Sequence, residues 1–123
     1  MIREIVAVGI GGALGSMTRY LVSYVWLAEQ TLLGFPVGTF MVNAAGSLLM
    51  GFLLEMLNVG TASWLLSVGF CGGFTTFSAF SADVVRMLKS GDYTAAGLCV
   101  VLNLVVCVLC ILLGAALGRA LKH

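Results

Sequence analysis

Four long apolar runs separated by short polar interruptions organise this sequence. The first covers about 5–26 and gives way to Ala28-Glu29-Gln30. The second, about 36–57, starts at the only proline, Pro36, and stops before Asn58-Val59-Gly60. The third, about 63–88, is closed by Ser90-Gly91-Asp92; the fourth, about 94–117, runs into a basic tail of Arg119, Lys122 and His123. A helix needs roughly 20 mainly apolar residues to cross the hydrocarbon core of a bilayer, and each run meets that length. Pro36 suits a first helical turn, where a missing N–H costs nothing. The pattern predicts an all-α membrane protein, with residues 1–123 forming a single domain of four transmembrane helices.

Composition agrees. The chain has 123 residues, 61% of them hydrophobic and 9% charged, with a mean hydropathy of +1.14. That is too little charge to cover a water-facing surface of this size, so the solvent must be lipid. The N-terminus has a weakly charged start and no clear small-residue cleavage site, and reads as a retained first helix. No nucleic-acid partner is expected, and V-G-I-G-G-A-L-G fails as a nucleotide loop because no strand precedes it. Gly11/Gly15 and Gly114/Gly118 are small-residue pairs of the kind that let helix backbones approach closely. The four cysteines (Cys71, Cys99, Cys107, Cys110) all lie within apolar runs, without polar co-ligands, and read as small packing residues.

Charge placement bears on topology. With four spans, the side holding both termini and the second loop carries Arg3, Arg119 and Lys122, against Arg86 and Lys89 on the other. Lys/Arg bias normally fixes orientation, and here it nearly cancels. Two readings stay open: insertion in both orientations as an antiparallel dimer, or one orientation winning by a small margin.

Polar side chains inside spans are costly and face a partner, a cavity or a pathway. Arg19 either snorkels to the interface or pairs inside. Thr39, Asn43 and Ser47 repeat every fourth residue and share one helix face; Asn43 serves either an interhelical hydrogen bond or a pathway. Cys99, Asn103 and Cys107 echo that spacing in the fourth run. The third run holds the strongest signal: Gly72-Gly73, then Thr75, Thr76, Ser78 and Ser81. Glycine pairs weaken helix, and broken helices persist in membranes only where the loose backbone is buried or lines a cavity. The expectation is a break in the third helix, with exposed carbonyls suited to a small alkali cation. Phe77 and Phe80 follow on one face. They are either packing residues or rings whose positive edges stabilise an anion.

Three motifs, GGALGSMTRY (11–20), GTFMVNAAGSLLMG (38–51) and GFCGGFTTFSAF (69–80), occur in order, and through them the chain resembles the Fluc fluoride channels, also called the CrcB family, over nearly its whole length. The resemblance implies an antiparallel dual-topology homodimer in the cell membrane, with two fluoride pores built from both subunits. It implies passive export of fluoride and a structural Na+ at the dimer centre, held by the carbonyls of Gly72 and Thr75. It assigns Asn43, Phe77 and Phe80 to the fluoride pathway and Arg19 to the family's first-helix arginine. Ser81, Thr39 and Asn103 are further pathway candidates. Cys99 and Asn103 stand where many members carry Tyr and Ser, and Ala79 where Thr is common; a thiol is a weak donor.

A small dual-topology proton-coupled drug exporter is the alternative from another class. It requires a carboxylate deep in the membrane, whereas Glu4, Glu29, Glu55, Asp83 and Asp92 all fall at or near span ends. A scaffold without transport predicts no ion flux, and no nucleophile–base pair points to an enzyme. A reporter fused to the C-terminus is expected on both sides of the membrane in comparable amounts; a reporter found on one side only would remove dual topology.

Overall fold

The computed structural model describes residues 1–122; the expected tail residue His123 lies outside them. Helix α1 spans Ile2–Trp26, α-helical to Tyr20 and wound wider, in π turns, over Leu21–Trp26. A hairpin of two short strands follows, β1 (Thr31–Leu32) and β2 (Phe35–Pro36). Helix α2 spans Val37–Met56, α3 residues 61–74, α4 Phe77–Lys89 and α5 Tyr93–Lys122. Helices α3 and α4 together make the third stretch long and apolar enough to cross a membrane, Thr61–Lys89, so the chain has four such stretches. The fold is all-α in its membrane-spanning part. Pro36 stands just before the first helical residue, and the last helix continues to Lys122 rather than ending at 117.

The hairpin was not expected. Thr31 pairs with Pro36 and Leu32 with Phe35, around Leu33 and Gly34, whose φ values of 53° and 91° turn the chain tightly. The turn drives Phe35 fully into the core, edge-on to Phe40 at 5.8 Å. Phe80, Met87, Ala95, Ala96 and Cys99 complete that cluster.

Lipid supplies no hydrophobic drive between helices, so packing depends on how closely backbones approach. Small residues decide it here. In α1, a Cβ on Gly11 would strike the Leu65 carbonyl, and one on Gly15 the Phe70 carbonyl. From the opposite wall, Gly69 sits against Val8 and Gly11, and Gly73 against Gly12. The α1–α3 seam is therefore glycine on glycine. The α2–α5 seam repeats the device, with Gly51 on Ile111 and Gly114 on Leu48. Both G-x-x-x-G pairs thus pack within one chain. Outward faces stay apolar: Ile10, Leu14 and Met17 on α1, and Val101, Val105 and Leu112 on α5, are exposed on the single chain.

Because Gly15 and Gly114 face backbone that cannot yield, Gly15→Val and Gly114→Val should each destabilise by about 3 kcal/mol or more. Gly97 has nothing within 4 Å of its would-be Cβ, so Gly97→Ala should be neutral or stabilise by up to about 1 kcal/mol. Thermal unfolding of the detergent-purified variants, followed by size-exclusion recovery, reads both.

Candidate functional site

The site grows from one backbone irregularity. Gly72 and Gly73 keep helical geometry, and the chain departs two residues later. Thr75 (φ −83°, ψ 157°) and Thr76 (φ −152°, ψ 121°) are extended between α3 and α4. Gly73 is small because Gly12 presses on it, not because the helix ends there.

Two extended residues at this depth leave peptide groups without helical partners, and Asn43 on α2 supplies them. Thr76 N–H donates to Asn43 Oδ1 at 2.7 Å, and Asn43 Nδ2–H donates back to Thr76 O at 3.1 Å. The amide thus pairs with the N–H and C=O of one residue, as a neighbouring strand would. Thr76 Oγ1 accepts from Ala79 N–H at 3.1 Å and caps α4. Thr75 stays tied to α3, its N–H (3.0 Å) and hydroxyl (2.8 Å) both donating to Cys71 O. Gly46 makes room for it, since a Cβ there would strike the Thr75 methyl. With Thr76 N–H turned to Asn43 and Ala79 N–H to Thr76 Oγ1, the carbonyl oxygens of Gly72 and Thr75 accept no hydrogen bond from the described residues. Arg19 pairs inside: its Nε–H donates to Gly73 O at 3.1 Å, placing a cation at the C-terminal end of α3, where the helix dipole favours it.

The fourth-residue rows on α2 and α5 meet rung by rung. Asn43 Nδ2 lies 3.4 Å from Asn103 Oδ1, and the Ser47 hydroxyl sits beside the Cys107 thiol. At the third rung Asp83 of α4 lies between Thr39 and Cys99. Asn103 is buried and its amide nitrogen is engaged on its own helix, donating to Cys99 O at 2.9 Å and facing Cys99 Sγ at 3.6 Å. What it presents to Asn43 is an oxygen, not the donor expected of a fluoride contact.

A cavity of about 320 Å³ opens beside the clamp, lined by Asn43, Ser47, Thr75, Thr76, Phe77 and Phe80 among others. A second of about 320 Å³, lined by Phe77, Phe80 and Ser81, adjoins it through the two phenylalanines. Their ring centroids are 5.4 Å apart and tilted by 60°; Phe80 is 8% exposed and Phe77 72%. Thr39 borders neither cavity. Asn43, Phe77, Phe80 and Thr75 are therefore brought together, Ser81 lies one cavity further on, and Gly72 is exposed on the outer side of α3.

Sequence reading missed two residues. Thr76 was one hydroxyl among four; its role as the clamped peptide follows from Asn43, which has no local signature. By sequence Asp83 falls among the carboxylates near span ends, yet it is 7% exposed and paired with Arg86 at 3.0 Å. Its three-residue spacing from both Phe80 and Arg86 was the available signal.

Fold and site define a multi-pass protein of the cell membrane with a polar track through a helix bundle. The chain belongs to the CrcB family: the family model described as "CrcB-like protein, Camphor Resistance (CrcB)" matches residues 6–115. It is 42% identical over 127 aligned residues to the fluoride-specific ion channel FluC of Bacteroides fragilis, covering 98% of this chain and 99% of that one. To the protein of the same name from Coxiella burnetii it is 39% identical (96% and 99% covered), and to that from Rhizobium meliloti 42% (96% and 98%).

Asn43→Ala leaves the Thr76 N–H and C=O without partners, a loss of about 1–3 kcal/mol for each group. Hydrogen exchange at the Thr76 amide is expected to accelerate in that variant by tenfold or more, with amides of α1 unaffected.

Proposed function

We propose that this chain is a fluoride-selective channel, not an enzyme, that lets cytoplasmic fluoride leave by passive diffusion and so limits its toxicity. The observation that carries the reading is the cavity in which the Asn43 amide meets the Phe77–Phe80 pair, in a chain whose relatives are named fluoride-specific ion channels.

Fluoride is small and tightly hydrated, so a pathway must replace lost water with donors. The Asn43 Nδ2–H facing Asn103 is the one to turn, because 3.4 Å is long for such a bond while the bond to Thr76 O, at 3.1 Å, lies within the ordinary range. The tilted rings of Phe77 and Phe80 offer positive edges, and Ser81 a hydroxyl in the adjoining cavity. Thr39 stands beyond, beside Asp83. Arg19, held on Gly73, stays out of the track. A narrow path without a free cation favours fluoride over larger anions and allows quick exit.

The working unit in this reading is an antiparallel, dual-topology homodimer. The near-balance of loop charges supports it, as do the exposure of Phe77 and the open face at Gly72. The same face bears on the structural Na+. The third helix breaks at Thr75-Thr76, and the Gly72 and Thr75 carbonyls left without donors are hard oxygens of the kind that hold an alkali ion. Bound there, the ion would supply positive charge and join the subunits. A proton-coupled exporter needs a carboxylate free to exchange protons; Asp83 is held by Arg86 and Glu55 by Arg119 at 3.1 Å, which disfavours it.

Phe80→Ile and Asn43→Asp should each abolish fluoride efflux from liposomes, read with a fluoride electrode, while leaving dimer assembly intact. Asn43→Asp keeps an oxygen for Thr76 N–H, but replaces the donor facing Thr76 O and Asn103 Oδ1 by a carboxylate oxygen that repels an anion. Unimpaired efflux in either variant refutes this pathway.

A further inference from the structure

The Asn43 amide nitrogen faces two oxygens, Thr76 O at 3.1 Å and Asn103 Oδ1 at 3.4 Å, and has one hydrogen for each. Neither amide of the Asn43–Asn103 rung can be turned over. Flipping Asn43 would set its nitrogen against Thr76 N–H, which donates to Oδ1 at 2.7 Å. Flipping Asn103 would set its oxygen against Cys99 O, which accepts from Nδ2 at 2.9 Å, and its nitrogen against that of Asn43. The Asn103 nitrogen is engaged on its own helix, donating to Cys99 O and facing Cys99 Sγ at 3.6 Å. Asn103 is 5% exposed and lines the cavity it shares with Asn43, Phe77 and Phe80. It therefore gives that cavity an acceptor and no donor.

An anion avoids such an oxygen, so Asn103 does not serve as a fluoride contact. Its oxygen instead competes with an anion for one hydrogen of Asn43. At 3.4 Å the bond between the amides is long and weak. Fluoride, an ionised acceptor, makes a stronger bond than a neutral carbonyl does. The ion takes the hydrogen when it arrives, and Asn103 recovers it when the ion moves on. A conducting site must bind firmly enough to admit an ion and loosely enough to release it. A waiting acceptor beside the donor supplies the second condition.

We infer that Asn103 is a positioning residue acting through Asn43, a latch whose oxygen holds the second Asn43 amide hydrogen between ions, weakening fluoride binding and speeding release. Cys99 sets the latch, because its carbonyl and sulfur keep the Asn103 nitrogen turned away from Asn43. The effect on release rests on the channel reading proposed above; the effect on fluoride binding is read separately from flux.

Asn103→Leu removes the oxygen and keeps a side chain of similar size. Initial efflux from liposomes, followed with a fluoride electrode over a range of internal fluoride concentrations, gives the half-saturating concentration and the maximal rate. The lost competitor is one net hydrogen bond, so both should fall in the variant, each roughly three- to tenfold. A bond that only joined helices would lower the maximal rate and leave half-saturation where it was; that outcome overturns the latch. Binding is read by NMR on detergent-purified protein carrying isotope in its asparagine side chains, which are Asn43, Asn58 and Asn103 alone. The Asn43 side-chain signals should respond to sodium fluoride with a midpoint roughly three- to tenfold lower in Asn103→Leu than in the unsubstituted protein. Equal midpoints, or no response at Asn43 in either protein, overturn the latch. Cys110→Ala, on the same helix but outside both cavities, should match the unsubstituted protein in both measurements. Should Asn103→Leu fail to fold, Asn103→Ala decides by the same criteria. The expected shift in binding midpoint, in a protein that carries no fluoride flux, upholds the latch and refutes the channel reading.

Discussion

The pairing of one side-chain amide with the backbone N–H and C=O of one residue governs this structure. In lipid no water can take up an unpartnered N–H or C=O, so a helix that leaves its ladder mid-membrane must be met by another group. Thr76 leaves the ladder, and Asn43 meets both its N–H and its C=O. The rest follows from keeping those two residues at hydrogen-bonding distance. Gly46 removes a side chain that would push Thr75 away, and the glycine seams of α1 with α3 and of α2 with α5 bring the backbones close. Packing and polarity are thus one problem here.

The charged groups obey the same economy. Arg19 reaches from α1 to Gly73 O at the end of α3, so its charge is matched by a helix terminus rather than a carboxylate. Asp83 holds Arg86 on the same helix, and Glu55 holds Arg119 across α2 and α5. Each pair lies towards a helix end, which leaves the middle of the bundle with amides, hydroxyls, thiols and rings. A middle of that kind can solvate a small anion by dipoles and let it go, which a fixed ammonium or guanidinium would not.

Much of this was legible because lipid imposes coarse rules on sequence. Run lengths, the small-residue spacings and the i, i+4 polar rows each follow from one physical period, which α2 and α5 obey throughout and α1 as far as Tyr20. What could not be read was anything set by contact between distant residues. Gly72-Gly73 looked like the point of departure because glycine weakens helix; the chain instead stays helical there and departs at Thr75-Thr76. The deciding bonds come from Asn43, over thirty positions away, and no local propensity encodes them. Asn103 is a similar case: it lines the cavity beside Asn43, but residue type does not give its rotamer, which turns the nitrogen to Cys99. The Leu33-Gly34 hairpin escaped notice since a leucine at positive φ is disfavoured locally and is held by the burial of Phe35 beside it.

The two polar rows show why composition can shift in such a track without losing the architecture. Each rung needs a group small enough for the glycine-set spacing and polar enough to face its opposite. Ser47 against Cys107 and Asn43 against Asn103 meet both demands, although a thiol donates weakly. Exchanging hydroxyls for sulfur keeps the volume and the spacing while softening the donors. In the pathway proposed above, a hard anion would then depend more on the Asn43 amide and the ring edges of Phe77 and Phe80, because the α5 side of the cavity offers weaker donors.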